Sequence, residues 1–279
     1  MHHPDIYLID NGSLRPSATF GLRRLAAALS VRTGRTIQPV SLLHSHKIDT
    51  EELGGEPATI LKRQLRQAIG EGKREFLLLP LFLGPSRAIS DYIPEVLASV
   101  QPEGEELHVV IADPVCGSSV DQPDKRLAEI LSDHVLSLSA DFSRESFAVA
   151  MVDHGTPAPE VNVLRNAVAA DLRALLKDHT VGVTAASMER REGPEYAFNE
   201  PLLENLNSQL PNMAEKLIVA MFFLLPGRHA GAGGDVVEIS QALLSQHAFG
   251  DVYTTSLIGE HPKLLEILTD RLEDALPEE

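Results

Sequence analysis

The sequence has a single cysteine, Cys116. One thiol excludes an intrachain disulfide and a cysteine-built zinc site. Basic residues are also scarce: 24 Lys and Arg stand against 40 Asp and Glu, for a formal net charge of -16. That balance argues against nonspecific nucleic-acid binding, which draws its affinity from neutralised phosphates, and against docking on an anionic membrane surface. No apolar run approaches the roughly 18 residues of a membrane span. The chain enters a strand-like run, Ile6–Ile9, with no charged-then-apolar leader ahead of it. A cytoplasmic protein without nucleic-acid or membrane partners is expected. A Walker loop, a Gly-x-Gly-x-x-Gly after the first strand and a Gly-x-Ser-x-Gly elbow are all missing, which disfavours the nucleotide-binding and α/β-hydrolase chemistries those motifs serve. What is present is 43% hydrophobic residues over 279 positions, enough for real cores in two ordinary domains or one large one.

One stretch organises the rest. Ala148-Val149-Ala150-Met151-Val152 is wholly apolar and ends abruptly in Asp153-His154-Gly155-Thr156-Pro157. A run of that kind closed by a Gly/Pro turn suits a strand buried on both faces. A helix follows, with Val161, Leu164, Val168, Leu172 and Leu175 expected on its apolar side. Ahead of it, Ile6–Ile9, Ile37–Leu43, Phe76–Leu83 and Leu107–Ala112 read as strands. Between them lie helical segments, one with Leu22, Leu25, Ala26 and Leu29 on one face, others over Ala58–Ile69, Asp91–Val100 and Lys125–Leu136. Strands alternating with helices predict an α/β fold with a parallel sheet and helices on both faces.

The order then starts again. Asp10-Asn11-Gly12-Ser13 returns as Asp153-His154-Gly155-Thr156, an offset of 143 (153 minus 10). Phe82–Arg87 returns as Phe223–Arg228, an offset of 141 (223 minus 82), and Val110–Gly117 as Val252–Gly259, an offset of 142 (252 minus 110). Three collinear matches at nearly constant spacing predict two homologous lobes, 1–141 and 142–279, with the boundary within 139–144 and no Pro/Gly-rich linker. A duplicated chain of this kind is expected to act as a monomer or homodimer.

Differences between the copies point to chemistry. His154 stands where the first half has Asn11, and His229 where it has Ala88. The strand Val181–Ser187 runs into Met188-Glu189-Arg190-Arg191, with His46 near the Glu189 position of the first half. The second half thus holds His, Glu and His at three successive strand ends, where open α/β sheets bind ligands. Two imidazoles and a carboxylate bind a divalent transition metal or move protons near neutral pH. Each also has a plainer reading: His154 as a core histidine capping its turn, Glu189 as a solvated loop charge. Gly231-Ala232-Gly233-Gly234 reads as a flexible stretch, a lid over the site.

Strand-His-Gly-Thr-helix followed by apolar strand-Leu-Pro-Gly-Arg-His resembles the class II tetrapyrrole chelatases of the CbiX/SirB type. That resemblance covers most of the chain. It implies two flavodoxin-like lobes, and insertion of Co²⁺ or Fe²⁺, or the related Ni²⁺, into sirohydrochlorin or a related acidic tetrapyrrole on the way to sirohaem or cobalamin. It implies no cofactor beyond the metal substrate. By the same resemblance His154 and His229 bind the metal and act on the pyrrole nitrogens, and Glu189 is the acidic partner. Gly155, Thr156, Arg190, Arg191 and Arg228 are expected to bind substrate, the arginines by pairing with its carboxylates. The alternative from another class is a protein of this fold that carries a tetrapyrrole or metal without turnover. Long two-lobe members of the family carry their histidines in the first lobe, and here they lie in the second.

Overall fold

A computed structural model of the chain describes residues 4–142, 145–208, 214–245 and 249–276. Residues 143 and 144 of the expected boundary segment lie outside these. The chain forms two compact units. One contains everything up to Ser118 together with the stretch from Leu265 onward, the other Ser119–Leu264. The sequence repeat and the packing therefore divide the chain differently. Helix α4 (Arg126–Ser139) follows the first four strands in sequence, yet it packs on β7 (Lys216–Met221) and α5 (Pro159–Leu176) of the second unit. Conversely, Arg271 of the last helix, α7 (Pro262–Ala275), donates through Nε to the Pro114 carbonyl of the first unit at 3.2 Å.

The first unit is built on a four-stranded parallel sheet of β1 (Asp5–Asp10), β2 (Ile37–Ser41), β3 (Glu75–Pro80) and β4 (His108–Ile111), in the order β2-β1-β3-β4. Helix α1 (Pro16–Thr33) buries Leu22, Leu25, Ala26 and Leu29, the face the periodicity predicts. It stops at Gly34, whose φ of 67° is the left-handed cap that lets its amide return to the Ser30 carbonyl. Helix α2 (Leu61–Gly70) starts three residues after the expected Ala58, because Ile60 is held extended in a bridge to Ser41. Helix α3 (Ile93–Val100) is entered through a π-helical turn over Ala88–Tyr92.

The second unit repeats this plan. Its sheet, β6-β5-β7-β8, is made of β5 (Phe147–Asp153), β6 (Gly182–Ser187), β7 and β8 (Asp251–Thr254), all parallel. Every residue of β5 is buried, as a central strand covered on both faces must be. Its side chains join Leu217, Val219 and Met221 of β7 and Val236 and Leu243 of α6 (Asp235–Ser245) in one apolar core. On α5, Leu164, Val168 and Leu172 are buried as expected, but Leu175 is 46% exposed and Leu176 is buried in its place. Four residues on from Leu172 follow the inward stripe more closely than three.

Candidate functional site

The order β6-β5-β7 sets three strand ends side by side. Glu189 follows β6, His154 follows β5 and His229 follows β7. The break between β5 and β7 is the topological switch point of this doubly wound sheet, where the crevice beyond the carboxyl ends opens. The His154 and His229 rings meet there edge-to-face, centroids 4.5 Å apart and 73° between planes. Glu189 Oε1 lies 3.5 Å from His154 Nε2. Residues 75 apart in sequence (229 minus 154) thus meet at one sheet edge, together with the carboxylate two positions past β6.

Gly155 makes the close approach possible. Its φ is +90°, and a Cβ there would fall 1.9 Å from the Glu189 carbonyl oxygen. Only glycine lets the His154 turn lie against the Glu189 turn, with the Glu189 amide donating to the His154 carbonyl at 3.2 Å. The first unit has the same contact: Leu43 N donates to Asn11 O at 3.1 Å, and a Cβ on Gly12 would meet the Leu43 carbonyl at 1.8 Å. Leu43, rather than His46, is therefore the counterpart of Glu189. The first unit presents Asn11 and Leu43 at two of the three positions and Ala88 at the third, so none of its three can ionise.

The neighbours of each ring assign its tautomer. His154 Nδ1 lies 3.0 Å from the Gly155 carbonyl, which can only accept, so Nδ1 carries the proton. Its Nε2 faces Glu189 Oε1, so a proton or a metal ion held on that nitrogen lies beside a carboxylate. His229 Nδ1 lies 2.7 Å from Asp235 Oδ2, so there too Nδ1 donates, and Nε2 is the nitrogen left to meet a ligand. Asp235 is a site residue that the sequence reading missed. It opens α6 after a turn in which Gly234 N donates to Gly231 O and Val236 N to His229 O. The glycine stretch expected as a loose lid is this hydrogen-bonded turn, packed so tightly that a Cβ on Gly234 would meet the His229 carbonyl at 2.8 Å.

Beneath His154 lies a second group absent from the sequence reading. Arg165, only 2% exposed, donates from one terminal nitrogen to Ser187 Oγ at 2.6 Å and to the Asn199 carbonyl at 2.9 Å. Ser187 in turn donates to Asp153 Oδ1 at 2.6 Å. Burial pushes the Asp153 carboxyl up, while Ser187 and Arg165 pull it back. Asn199 closes the ring, accepting from Thr156 N at 3.0 Å and donating to Thr156 O at 2.9 Å. The turn that presents His154 is thereby anchored to the buried pair. A charged residue next to Leu164 on the buried stripe of α5 was the available sequence signal.

The expected substrate-binding residues divide. Thr156 Oγ1 accepts from Ala158 N at 3.0 Å and shapes the entry to α5, while Gly155 serves the close approach. Arg190 is held inside its own loop, donating to Glu200 at 2.7 Å and to the Arg191 and Gly193 carbonyls. Arg191 lies over the Tyr196 ring, 5.9 Å from its centroid. Arg228 is 79% exposed at the site, 3.9 Å from Asp235. Among the described residues no three His, Cys, Asp or Glu side chains close into a metal-holding cluster. Two imidazole nitrogens and one carboxylate are nevertheless ligand types that divalent transition metals accept.

SirB from Bacillus subtilis, solved with Fe³⁺, superposes with a TM-score of 0.70 at 14% identity, over 98% of this chain and 96% of that one. A second SirB structure, from B. subtilis subspecies spizizenii in complex with cobalt, gives 0.69 at 14% identity over 98% and 95%. A CbiX described as the terminal enzyme of sirohaem biosynthesis in denitrifying bacteria gives 0.60 at 16% over 98% and 100%. The chain thus has the two-lobed chelatase fold along its length. No curated protein sequence matches it. Residues 148–275 match the CbiX family model.

Proposed function

We propose that this protein is a chelatase that inserts a divalent metal ion into sirohydrochlorin or a closely related acidic tetrapyrrole, and that the reaction runs on the second unit alone. The observation that carries this reading is the pair of imidazole rings, 4.5 Å apart, with a carboxylate 3.5 Å from one of them. Metallation must strip water from the ion, remove two pyrrole N–H protons and exchange ligands one at a time. His154 and His229 take up the ion through Nε2, and imidazole suits Co²⁺, Fe²⁺ and Ni²⁺ alike. Glu189, 59% exposed and adjacent to His154, receives the two pyrrole protons one after the other and passes each to solvent. Asp235 holds the His229 ring in the tautomer that leaves Nε2 available. Arg228 and Arg191 pair with substrate carboxylates, which the chain's overall negative charge would otherwise repel. Arg190, already paired with Glu200, shapes the loop that carries Arg191.

The test is incubation with sirohydrochlorin and each metal separately, following absorbance through many turnovers. The expected result is multiple-turnover metallation that His154→Ala and His229→Ala each abolish. A protein that binds one equivalent and stops is a carrier, and a wild-type rate in either variant removes the histidines from the mechanism.

A further inference from the structure

We infer that Tyr196 is a positioning residue for substrate: its ring holds the Arg191 guanidinium in place on the loop after β6, ready to take a carboxylate of an acidic tetrapyrrole. The inference rests on the chelatase reading for the identity of the ligand.

The loop, 188–200, is pinned before it reaches its tip. Its ends meet where Ser187 N donates to the Pro201 carbonyl at 3.1 Å, and just inside that neck Arg190 Nε donates to Glu200 at 2.7 Å. Arg190 also donates to the Arg191 and Gly193 carbonyls at 3.1 Å each, which fixes the backbone around Arg191. Asn199 ties the returning arm to the sheet edge. Its side-chain amide donates to the Tyr196 carbonyl at 3.1 Å and to the Thr156 carbonyl at 2.9 Å. Tyr196 is therefore held by the same side chain that holds the turn carrying His154. Tyr196 is half-buried, and Arg191 is exposed.

The two arginines of the loop differ. Arg190 is engaged by Glu200 and two carbonyls, whereas among the described residues no carboxylate or carbonyl meets the Arg191 guanidinium. The neighbouring acids are directed elsewhere: Glu189 lies beside His154, and the Glu195 carboxylate is folded against Gly193. The contact Arg191 does make is with the Tyr196 ring, its Cζ 5.9 Å from the centroid, within reach of a cation–π attraction. An aromatic face attracts the cation without accepting its hydrogen bonds, so the N–H donors stay available while the side chain loses rotamer freedom. An arginine already held in this way gives up less entropy when a ligand arrives. A carboxylate is the planar anion that the guanidinium fork pairs with bidentately.

The test is absorbance titration of the full-length protein with metal-free sirohydrochlorin, alongside kcat and KM for Co²⁺ insertion. Tyr196→Leu should raise Kd and KM together by about two- to fivefold, the range of a cation–π contact at an exposed site. The kcat should stay unchanged, as when binding is lost equally from ground and transition states. Tyr196→Phe keeps the ring face and should keep the wild-type values. Arg191→Met should raise Kd at least as far, and Tyr196→Leu added to it should change nothing more, since the ring acts only through the guanidinium. Additive effects of the two substitutions, a wild-type Kd in Tyr196→Leu, or a Tyr196→Phe protein as weak as Tyr196→Leu would overturn the proposal. If Tyr196→Leu does not fold, Tyr196→pentafluorophenylalanine, which keeps the ring's shape but not its negative face, takes its place, and a wild-type Kd there overturns it. Wild-type protein that binds the tetrapyrrole without turnover overturns the chelatase reading alone, and the Kd comparison then decides the role of Tyr196; absence of binding overturns both.

Discussion

Replacing Asp235 tests how the site controls its chemistry. The carboxylate accepts from His229 Nδ1 at 2.7 Å, a short, charge-assisted bond, and is itself 38% exposed. Such bonds contribute about 1.5–3 kcal/mol, and at roughly 1.4 kcal/mol per tenfold this corresponds to a ten- to hundredfold effect. The partial exposure of the pair favours the lower half of that range. Outer partners of metal-binding imidazoles typically change affinity or activity by about 10–100-fold, which agrees. Asp235→Ala should therefore lower metal affinity and turnover together, each by at least about tenfold, because the ring is free to present Nδ1 or Nε2 to the ion. Asp235→Asn keeps an oxygen acceptor and should lose less. Thermal stability should fall little, since an acidic residue in the first turn of a helix contributes only about 0.3–1 kcal/mol. Metal titration by calorimetry, multiple-turnover absorbance assays and the ¹⁵N shifts of the His229 ring measure these separately. A variant with unchanged ring tautomer, affinity and turnover would show that the contact is incidental.

Three further outcomes follow from the buried groups. Burial lifts the Asp10 carboxyl from 3.8 to about 6. Between those values the folded protein keeps a proton that the unfolded chain releases, so stability falls as pH rises from about 4 to about 6 and then levels. At ~1.4 kcal/mol per unit the loss is about 3 kcal/mol at most. Asp10→Asn removes it, so urea unfolding at pH 4 and pH 7 should show the variant gaining on wild type only at the higher pH; an equal gap at both would refute the assignment. Arg165→Met strands the Asp153 carboxylate in the core and should cost about 3–5 kcal/mol, recovered in large part when Asp153→Asn is added; a single variant with a wild-type unfolding midpoint would contradict the network. Gly155→Ala sets a Cβ 1.9 Å from the Glu189 carbonyl at a φ of +90°. It should cost ~1–3 kcal/mol of backbone strain and slow metallation by separating Glu189 from His154, and unchanged turnover would detach that contact from the chemistry.

The legible features were those carried by backbone repetition. Asp-x-Gly at the end of an apolar run recurs because each unit needs glycine where the first strand's turn crosses the second strand's loop, so Gly12 and Gly155 mark equivalent places in the fold. His154 and His229 were legible against that frame because Asn11 and Ala88 occupy the same places without their chemistry. Asp235 was not, since it lies six positions past the ring it orients (235 minus 229), across a turn that has no periodicity to read. The match of His46 to Glu189 failed for a similar reason: loop residues carry no periodicity, and only the paired amide contacts of Leu43 and Glu189 fix the register. Helix α4 follows the strands of the first unit in sequence, and nothing in its own pattern of buried residues states which sheet it covers.

The two units show how a site arises on a retained frame. Strand order, register and the glycine crossing are the same in both, so the frame by itself specifies no reaction. What separates them is a short set of side chains: two imidazoles and a carboxylate at the sheet edge, and beneath them Arg165 and Asn199, which tie Thr156 to the buried carboxylate. The first unit lacks both the edge set and the tie, with Leu22 and Pro57 at the matching places. Within this chain the anchoring network and the histidine it supports occur together in one unit. Asn11→His alone should accordingly leave an imidazole on an unanchored turn, and the proposed site depends as much on Arg165 and Asn199 as on the rings.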